Sequence, residues 1–284
     1  MPIAEYMGSA HRPRRLIFTV LGGYWEVIGE WVRLRTLVQL LRDVGLTDKA
    51  ARAAIDRLVD QNMLVREQRS GELGVALTKA MVERIERRAR RIYARREPPP
   101  LSDGWLLVSY TMPEAERDRR HLLRTGLEQL GLASMGSGQW LAPARVKAEV
   151  AELVMALHAT EQVTMFAGSF EGFGHLRDLV NRRWDLPSLD RKYREFITLQ
   201  RPVLAKARQT PSIVAEWAYP TYTAMLHSWR ILPVLDPGLP TEVLPADWPE
   251  SEATKLFLDL HDLLYPAARK HVAGRLAGEG ALRS

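Results

Sequence analysis

The sequence predicts an α+β protein built from three segments, and three patterns along the chain support this fold class. Residues 1–97 alternate short amphipathic helices with a hairpin, residues 98–170 follow a βαββαβ order, and residues 171–284 are mostly helical. A chain of 284 residues is long enough for two or three domains of ordinary size. Three consecutive prolines, Pro98 to Pro100, mark the clearest boundary between segments.

Composition limits the classes of function that the chain can have. Without cysteine it can form no disulfide, thiolate zinc site or cysteine nucleophile. No apolar run approaches the roughly 18 residues of a membrane span, and the first residues lack the pattern of a signal peptide. We therefore expect a cytoplasmic protein without a membrane partner.

The excess of positive over negative charge is confined to the first third of the chain. Residues 1–97 contain 19 Lys and Arg against 12 Asp and Glu, whereas the rest of the chain contains 21 against 22. A basic segment joined to a neutral body is typical of a nucleic-acid-binding module. A charged surface that contacts only solvent would give the same excess of Lys and Arg, so this alternative stays open.

Two amphipathic helices joined by a short turn form the centre of the basic segment. The first covers "RLRTLVQLLRDVG", and the second, "LTDKAARAAIDRLV" (residues 46–59), follows the turn "GLT". One face of the second helix is small and apolar, as in a helix that rests on a core, and consists of Ala51, Ala54, Ile55, Leu58 and Val59. Thr47 is placed to cap its first turn. The pattern predicts a helix-turn-helix, although the same alanines are compatible with a helix that only fills a core.

A hairpin follows the second helix. "LVREQ" and "LGVAL" are β-type runs on either side of Arg69-Ser70-Gly71-Glu72, and a hairpin here completes a winged helix-turn-helix, whose second helix enters the major groove of DNA. Basic runs flank this unit at residues 11–15 ("HRPRR") and 83–96, and some arginines of the second run are expected to be solvated.

Cations on the outer face of the second helix are suited to bind phosphates or guanine. Asp56 on the same face can accept a hydrogen bond from cytosine or orient an arginine such as Arg52. The predicted DNA contacts are Arg14, Arg15, Thr47, Lys49, Arg52, Asp56, Arg57, Arg66 and Arg69.

Behind the prolines, alternating patterns predict a ferredoxin-like domain. The order βαββαβ follows from strand "WLLVSYT", helix "EAERDRRHLLRTGLEQLG", hairpin "LASMGSGQWLA", helix "ARVKAEVAELVMALHA" and strand "QVTMFAGSF". Gly136 and Gly138 are placed in the turn of the hairpin. Beyond residue 170 the patterns predict amphipathic helices, such as "LDRKYREFITLQRPVLAKARQ" and "EATKLFLDLHDLLYPAARKHV", separated by the proline-dense connector "LPVLDPGLPTEVLPADWPES".

Several stretches resemble the PaaX family of bacterial transcriptional repressors, which control phenylacetic acid degradation. They are "RRLIFTVLGGYW", "WVRLRTLVQLLRDVGLTDKAARAAIDRLVDQNMLVREQRSG", "WLLVSYTMPE", "GQWLAP" and, most distinctively, "MLHSWRILPVLDPGLPTEVLPADWP". The resemblance covers nearly the whole chain in the family's domain order. It implies an N-terminal winged helix, a central dimerisation domain that looks like the CRISPR-associated nuclease Cas2, and a helical C-terminal domain linked to effector binding. It also implies a homodimer that binds a palindromic operator on double-stranded DNA and is released by phenylacetyl-coenzyme A.

The chain departs from the family's pattern at two places in the basic segment. In the family the wing often runs R-G-R, with aromatic residues into its second strand. Here Glu72 follows the glycine and no aromatic residue is present, so wing contact rests on Arg66 and Arg69. Asp56 stands where the family often has serine, which suggests a different operator or a different regulon.

The Cas2 likeness raises a metal-dependent nuclease as an alternative function. In Cas2-like nucleases the first strand ends in an aspartate that binds the metal, whereas this strand ends in Tyr110-Thr111, and threonine is a poor substitute for a carboxylate ligand. The seven histidines lack metal-ligand spacing, and no Walker A, G-x-G-x-x-G or G-x-S-x-G motif occurs. We therefore expect no enzyme activity, no metal site and no cofactor. An architectural DNA binder without an effector is the other alternative.

The effector implied by the resemblance is a coenzyme A thioester, which requires cations for its phosphates and an apolar slot for its acyl group. The C-terminal third contains aromatic and cationic residues of this kind, most of which can equally belong to a core. The predicted effector site includes His227, Trp229 and Arg230, from the segment most specific to the family, together with Arg183 and Trp184.

Overall fold

The computed structural model describes residues 13–93 and 97–278, without the side chain of residue 88. Within this part, the chain divides into two compact units. Unit 1 comprises residues 13–93, 195–231 and 252–278, and unit 2 comprises residues 97–194 and 232–251. The C-terminal part of the chain therefore contributes to both units. The domain boundaries expected after residues 97 and 170 stay predictions.

Helices and strands are mixed along the chain, as the predicted α+β fold class requires. The helices are α1 (Pro13–Gly23), α2 (Trp25–Ile28), α3 (Leu34–Asp43), α4 (Asp48–Asp60), α5 (Lys79–Tyr93), α6 (Arg117–Gln129), α7 (Lys147–Ala156), α8 (Leu176–Arg183), α9 (Leu186–Gln209), α10 (Ala215–Trp229), α11 (Leu232–Leu235) and α12 (Glu250–Ala277). The strands are β1 (Trp31–Arg33), β2 (Leu64–Arg69), β3 (Glu72–Leu77), β4 (Trp105–Tyr110), β5 (Ala133–Gly136), β6 (Gln139–Pro143) and β7 (Val163–Gly168).

The helix-turn-helix consists of α3 and α4, with residues 44–47 as the turn between them. α1 packs against both helices. The core between them is apolar, and its almost completely buried side chains include Ile17, Val20, Leu37, Leu40, Leu41, Ala51, Ala54, Ile55 and Leu58. The small alanines of α4 face this core, which allows the three helices to approach closely.

The wing belongs to a three-stranded antiparallel sheet in the order β1-β3-β2. β2 and β3 pair as far as Arg69 and Glu72, which leaves Ser70 and Gly71 as a two-residue turn. Both turn residues have positive φ, 51° and 79°, as the type I′ hairpin turn requires. The winged helix-turn-helix is therefore present as predicted, but the sequence does not predict β1, because three residues show no periodicity.

Unit 2 is built on the predicted ferredoxin-like domain. Its four strands form an antiparallel sheet in the order β5-β6-β4-β7, which is the strand order of a βαββαβ ferredoxin-like fold. On one face of the sheet, Leu106 and Val108 share a buried cluster with Leu123 of α6 and Val150 of α7. Another buried cluster joins Trp105 of β4 to α8 and to the proline-dense connector. The connector therefore covers the sheet of unit 2 instead of acting as a free linker.

The remaining helices of unit 1 include α5, α10, most of α12 and the part of α9 that follows residue 194. α10 lies so close to α1 that a Cβ on Gly23 would be 2.4 Å from a methyl carbon of Leu226. Several of the largest fully buried side chains lie here, namely Tyr24, Tyr219, Tyr222, Trp229 and Phe257. The winged helix-turn-helix and the C-terminal helices of unit 1 thus share one core. Among the described residues, none of the helices is long and apolar enough to cross a membrane.

Candidate nucleic-acid interface

α4 presents an exposed, charged face on the side opposite its buried alanines. The side chains of Lys49, Arg52, Asp56 and Arg57 all lie on this face and are exposed. Two of them, Lys49 and Arg52, belong to the N-terminal turns, which are the part of a recognition helix that contacts base edges. The buried and exposed faces of α4 match the apolar and charged faces expected from the sequence, and contact of these residues with DNA stays a prediction.

Two interactions hold the start of α4. The hydroxyl of Thr47 accepts a hydrogen bond from the N–H of Ala50 at 3.3 Å, which confirms the predicted N-cap. Across the turn, Nε and Nη2 of Arg42 each donate to a carboxylate oxygen of Asp48 at 2.7 Å. The hydrogen bond from Arg42 lowers the pKa of Asp48, which keeps a negative charge at the positive end of the helix dipole. The cap stabilises the first turn of α4, and the Arg42–Asp48 pair holds that turn against α3.

Asp56 links the recognition helix to the wing. Its carboxylate accepts a charge-assisted hydrogen bond from the guanidinium of Arg66 on β2. The two side chains are 53% and 42% exposed, so DNA can reach both of them. The arginine that Asp56 orients is thus Arg66 on the wing, whereas the sequence suggested Arg52 on α4.

Trp31 supplies the wing with the aromatic side chain that β2 and β3 lack. Its Nε1 donates to the carbonyl of Glu67 at 3.3 Å, and a Cβ on Gly74 would lie 2.3 Å from its ring, so glycine is needed there. The guanidinium of Arg69 lies over the ring, with Cζ 5.6 Å from the centroid, and pairs with the carboxylate of Glu67 at 2.8 Å. Sequence reasoning missed Trp31, because only the pairing of β1 with β3 brings it to the wing.

Arg14, in the first turn of α1, lies near the other end of the recognition helix. Nη1 of Arg14 donates to Oε1 of Gln61 at 3.2 Å, and Gln61 is the C-cap of α4. Both Arg14 and Arg15 are exposed. Residues 11 and 12 of the first basic run, and residues 94–96 of the second basic run, lie outside the described residues. Arg14, a predicted DNA contact, therefore lies beside the C-terminal end of α4.

Three predicted effector residues lie at the end of α10, in unit 1. Trp229 is 2% exposed, its Nε1 donates to the carbonyl of Ile92 at 2.9 Å, and its ring stacks on Phe257 at 4.7 Å. Nδ1 of His227 lies 2.8 Å from the hydroxyl of Thr19 on α1. The backbone N–H of Arg230 donates to the carbonyl of Leu226 at the C-cap of α10. Trp229 is thus a core side chain, whereas His227 and Arg230 are only partly buried.

The two other predicted effector residues, Arg183 and Trp184, belong to unit 2. Nη1 of Arg183 donates to the carbonyl of Ser134 at 3.4 Å. Nε1 of Trp184 donates to the carbonyl of Gly131 at 3.0 Å, and its ring lies 6.1 Å from that of Trp105. The five residues are therefore divided between the two units, and their contact with an effector stays a prediction.

A network of buried tyrosine hydroxyls in unit 1 is absent from the sequence-based expectations. The hydroxyl of Tyr24 lies 2.8 Å from that of Thr223, and the hydroxyl of Tyr222 lies 2.8 Å from Nδ1 of His261 and 3.4 Å from the hydroxyl of Tyr93. Burial raises the pKa values of Tyr24 and Tyr222 well above the ordinary value for tyrosine, and it raises the pKa of Tyr93 to about 12. Burial also lowers the pKa of His261. These groups therefore act as neutral hydrogen-bonding partners. No sequence spacing could reveal their pairing, because Tyr24 precedes α2 and the other groups come from α5, α10 and α12.

Comparisons with known proteins place the chain in a family. The model of the PaaX-like protein matches residues 12–79, that of the PaaX protein central Cas2-like domain matches residues 98–180, and that of the PaaX-like protein C-terminal domain matches residues 184–274. The chain belongs to the PaaX family. The three matches follow the order of segments expected from the sequence and leave only short stretches of the chain uncovered.

Two relatives illustrate the family and the fold. The chain is 25% identical to the Transcriptional repressor PaaX of Escherichia coli (strain K12), over 94% of this chain and 87% of that protein. It is also similar to the solved structure of the uncharacterized protein Rv0674 from Mycobacterium tuberculosis, with a TM-score of 0.53 and 22% identity over 90% of this chain and 96% of that chain. The second likeness concerns the fold alone.

The Cas2-like domain of this PaaX-family chain has a threonine after its first strand. β4 ends at Tyr110, and the N–H of Thr111 donates to the carbonyl of Gln162 at 3.1 Å. In the part of the chain that the structure describes, no three His, Asp or Glu side chains come together in an arrangement that could hold a metal ion. The residues at this position thus offer a hydroxyl group where a metal site would require a carboxylate.

Proposed function

We propose that the protein is a transcriptional repressor that binds double-stranded operator DNA through α4 and the β2–β3 wing. The observation that carries this proposal is the exposed cationic face at the start of α4, held on a buried apolar face within a winged helix-turn-helix. Similarity to Transcriptional repressor PaaX over 94% of this chain supports it. Such a repressor acts in the cytoplasm and requires no enzyme activity.

The residues of this interface have different roles in the proposal. Lys49 and Arg52 reach base edges and phosphates from the first two turns of α4, and Thr47 fixes those turns by its cap. Arg57, Arg14 and Arg15 contact phosphates further along the backbone of the DNA. Asp56 holds Arg66 against α4, so that Arg66 and Arg69 present the wing to the DNA in one orientation. The specificity of the operator then depends mainly on α4.

Binding and cleavage assays test the proposal and separate it from the nuclease alternative. A duplex that the protein selects from a random DNA library is titrated at several salt concentrations, with and without Mg²⁺ or Mn²⁺. A repressor binds one sequence with an affinity that falls steeply with salt and leaves the duplex intact. Metal-dependent cleavage of the duplex would instead favour the nuclease.

We propose that the repressor is a homodimer that binds a palindromic operator, with unit 2 as the dimerisation unit. β7 is an edge strand of the sheet of unit 2, and Phe166 on it is 63% exposed. Exposed edge strands with large apolar side chains promote pairing with a second chain. A twofold dimer would place two recognition helices on two half-sites, and it therefore predicts a palindromic operator.

Phe166→Glu is expected to weaken the dimer at least about tenfold, because a carboxylate at the interface would lose its hydration. Sedimentation velocity over a range of protein concentrations measures the monomer fraction. Leu122→Glu is the matched control, since Leu122 is 55% exposed on α6 of the same unit. A Phe166→Glu protein that dimerises like the Leu122→Glu protein would remove β7 from the interface.

We further propose that a coenzyme A thioester releases the repressor, with phenylacetyl-coenzyme A as the first candidate. Guanidinium groups suit its phosphates, and aromatic side chains suit its acyl group. Arg230 and His227 in unit 1, and Arg183 and Trp184 in unit 2, are the partly exposed candidates for these contacts. An architectural DNA binder without an effector would show no thermal shift with any acyl-coenzyme A.

Arg230→Ala is expected to leave operator affinity unchanged and to raise the phenylacetyl-coenzyme A concentration needed for release about tenfold, as expected for the loss of one charged hydrogen bond. Release is followed by fluorescence anisotropy of a labelled operator. Arg183→Ala in unit 2 is measured in parallel, so that the variant with the altered response assigns the effector to one unit. An unchanged response in Arg230→Ala would exclude Arg230 from the effector site.

A further inference from the structure

The last helix of the chain reaches the helix-turn-helix at Asp43, the residue at which α3 ends. Oδ2 of Asp43 accepts hydrogen bonds from Nε2 of His271 at 2.8 Å and from Nε of Arg275 at 3.0 Å, and Oδ1 accepts from Nη2 of Arg275 at 3.2 Å. The side chains of Asp43 and His271 are only 21% and 11% exposed. Hydrogen bonds to a side chain that is largely shielded from solvent are stronger than those of an exposed surface pair.

α10 contributes a second contact to the same end of α3. The hydroxyl of Tyr219 donates to the carbonyl of Leu40 at 2.9 Å. The last four carbonyls of a helix have no partner within the helix, so a donor from a neighbouring helix satisfies one of them. Burial raises the pKa of Tyr219 well above its ordinary value, which keeps this donor protonated. The ring of Tyr219 also stacks on that of His271, with centroids 4.7 Å apart and an interplanar angle of 11°.

The same end of α3 is connected to the recognition helix. Arg42, the neighbour of Asp43, donates two hydrogen bonds to Asp48 at the start of α4. Arg275 also lies at the C-terminal end of α3, where the helix dipole favours positive charge. Two adjacent residues of α3 therefore connect α12 on one side to the first turn of α4 on the other.

We propose that α10 and α12 position the recognition helix for DNA binding, with Asp43 as the joint and with His271, Arg275 and Tyr219 as positioning residues. The inference rests on the proposed function, because it concerns how α4 meets DNA. Loss of the joint allows the turn at residues 44–47 to change its angle, and α4 then presents Lys49 and Arg52 in several orientations. Any ligand that shifts α12 relative to α3 would change operator affinity through this joint.

The test is the operator affinity of variants at the joint, measured together with the fraction of active protein. His271→Leu is expected to raise the Kd for a duplex selected by the wild-type protein about tenfold, with little change in the salt dependence, because every Lys and Arg of the interface is retained. His271→Gln retains a side-chain N–H donor and is expected to restore most of the affinity. A merely structural role would lower the active fraction and leave the Kd of the folded protein unchanged.

A double-mutant cycle assigns the effect to the joint. Asp43→Asn and His271→Leu are expected to raise the Kd by less in combination than the product of their separate effects, because they remove the same interaction. Arg275→Ala provides a milder variant if His271→Leu does not fold, since Arg275 is 41% exposed. Arg208→Ala, which breaks an ion pair between α9 and α12, is the control and is expected to bind like wild type.

The outcomes separate this inference from the proposed function. Wild-type protein that selects no duplex would contradict the repressor function itself. Wild-type protein that binds its duplex, with His271→Leu and Arg275→Ala binding equally well, would leave the repressor function intact and refute the joint.

Discussion

Trp229→Ala is expected to destabilise unit 1 by about 4 kcal/mol, as for other large-to-small changes in a core. The side chain is 2% exposed, and its ring lies 4.7 Å from that of Phe257 and 5.2 Å from that of Phe196. Truncation would leave a cavity between α9, α10 and α12. It would also leave the carbonyl of Ile92 without the donor that the indole supplies. Urea unfolding followed by circular dichroism measures the change.

Two further variants separate the contributions of burial and hydrogen bonding. Trp217→Ala is the matched control on the same helix, because Trp217 is only partly buried and packs against Lys206, and we expect it to cost about 1 kcal/mol. Trp229→Phe keeps an aromatic ring and removes the N–H, so its expected cost is about 2 kcal/mol. Equal unfolding midpoints for Trp229→Ala and Trp217→Ala would contradict the assignment of Trp229 to the core.

Removal of two cations from α4 is expected to have the largest effect on DNA binding. The double variant Lys49→Ala/Arg52→Ala should bind the selected operator about 100-fold more weakly, because each contact to a base or phosphate contributes about 1–3 kcal/mol. If both contacts are to phosphates, the slope of log K against log salt should also fall by about 2. Fluorescence anisotropy at several salt concentrations measures both quantities.

A control with the same change of charge distinguishes local contact from the general field of the protein. Arg208 and Lys255 are exposed cations of unit 1 that both pair with Asp259. Arg208→Ala/Lys255→Ala therefore removes two positive charges from α9 and α12 and none from α4, and it should change operator affinity by less than about threefold, because salt screens exposed charges outside the interface. If both double variants lose affinity equally, α4 is not the recognition helix.

Local patterns of the sequence were sufficient for most of the fold. The two faces of α4 could be predicted because apolar residues at helical spacing must meet a core, whichever core that is. Thr47 could be predicted as the N-cap because a cap depends on neighbours only three residues away. The hairpins at Ser70-Gly71 and at residues 136–138 depend on turn residues that are contiguous in the chain.

Contacts between distant residues could not be predicted in the same way. Trp31 joins the wing through β1, and Asp56 pairs with Arg66 of β2, although the helical wheel suggested Arg52 as its neighbour. His271 meets Asp43 across 228 residues of sequence. No periodicity relates such partners, because their distance is set by the packing of whole helices.

The sequence by itself determined the α+β class, the order of a winged helix-turn-helix before a ferredoxin-like domain, and the outward cations of α4, because each depends on the spacing of residues along one element. Only the tertiary structure decided that α10 and α12 share a core with the helix-turn-helix, and that Trp229 is enclosed in that core. The tyrosine network and the contacts of Asp43 were decided in the same way. Each of these features brings side chains from several helices together at one place. Which helices meet there depends on how the whole chain buries its apolar surface.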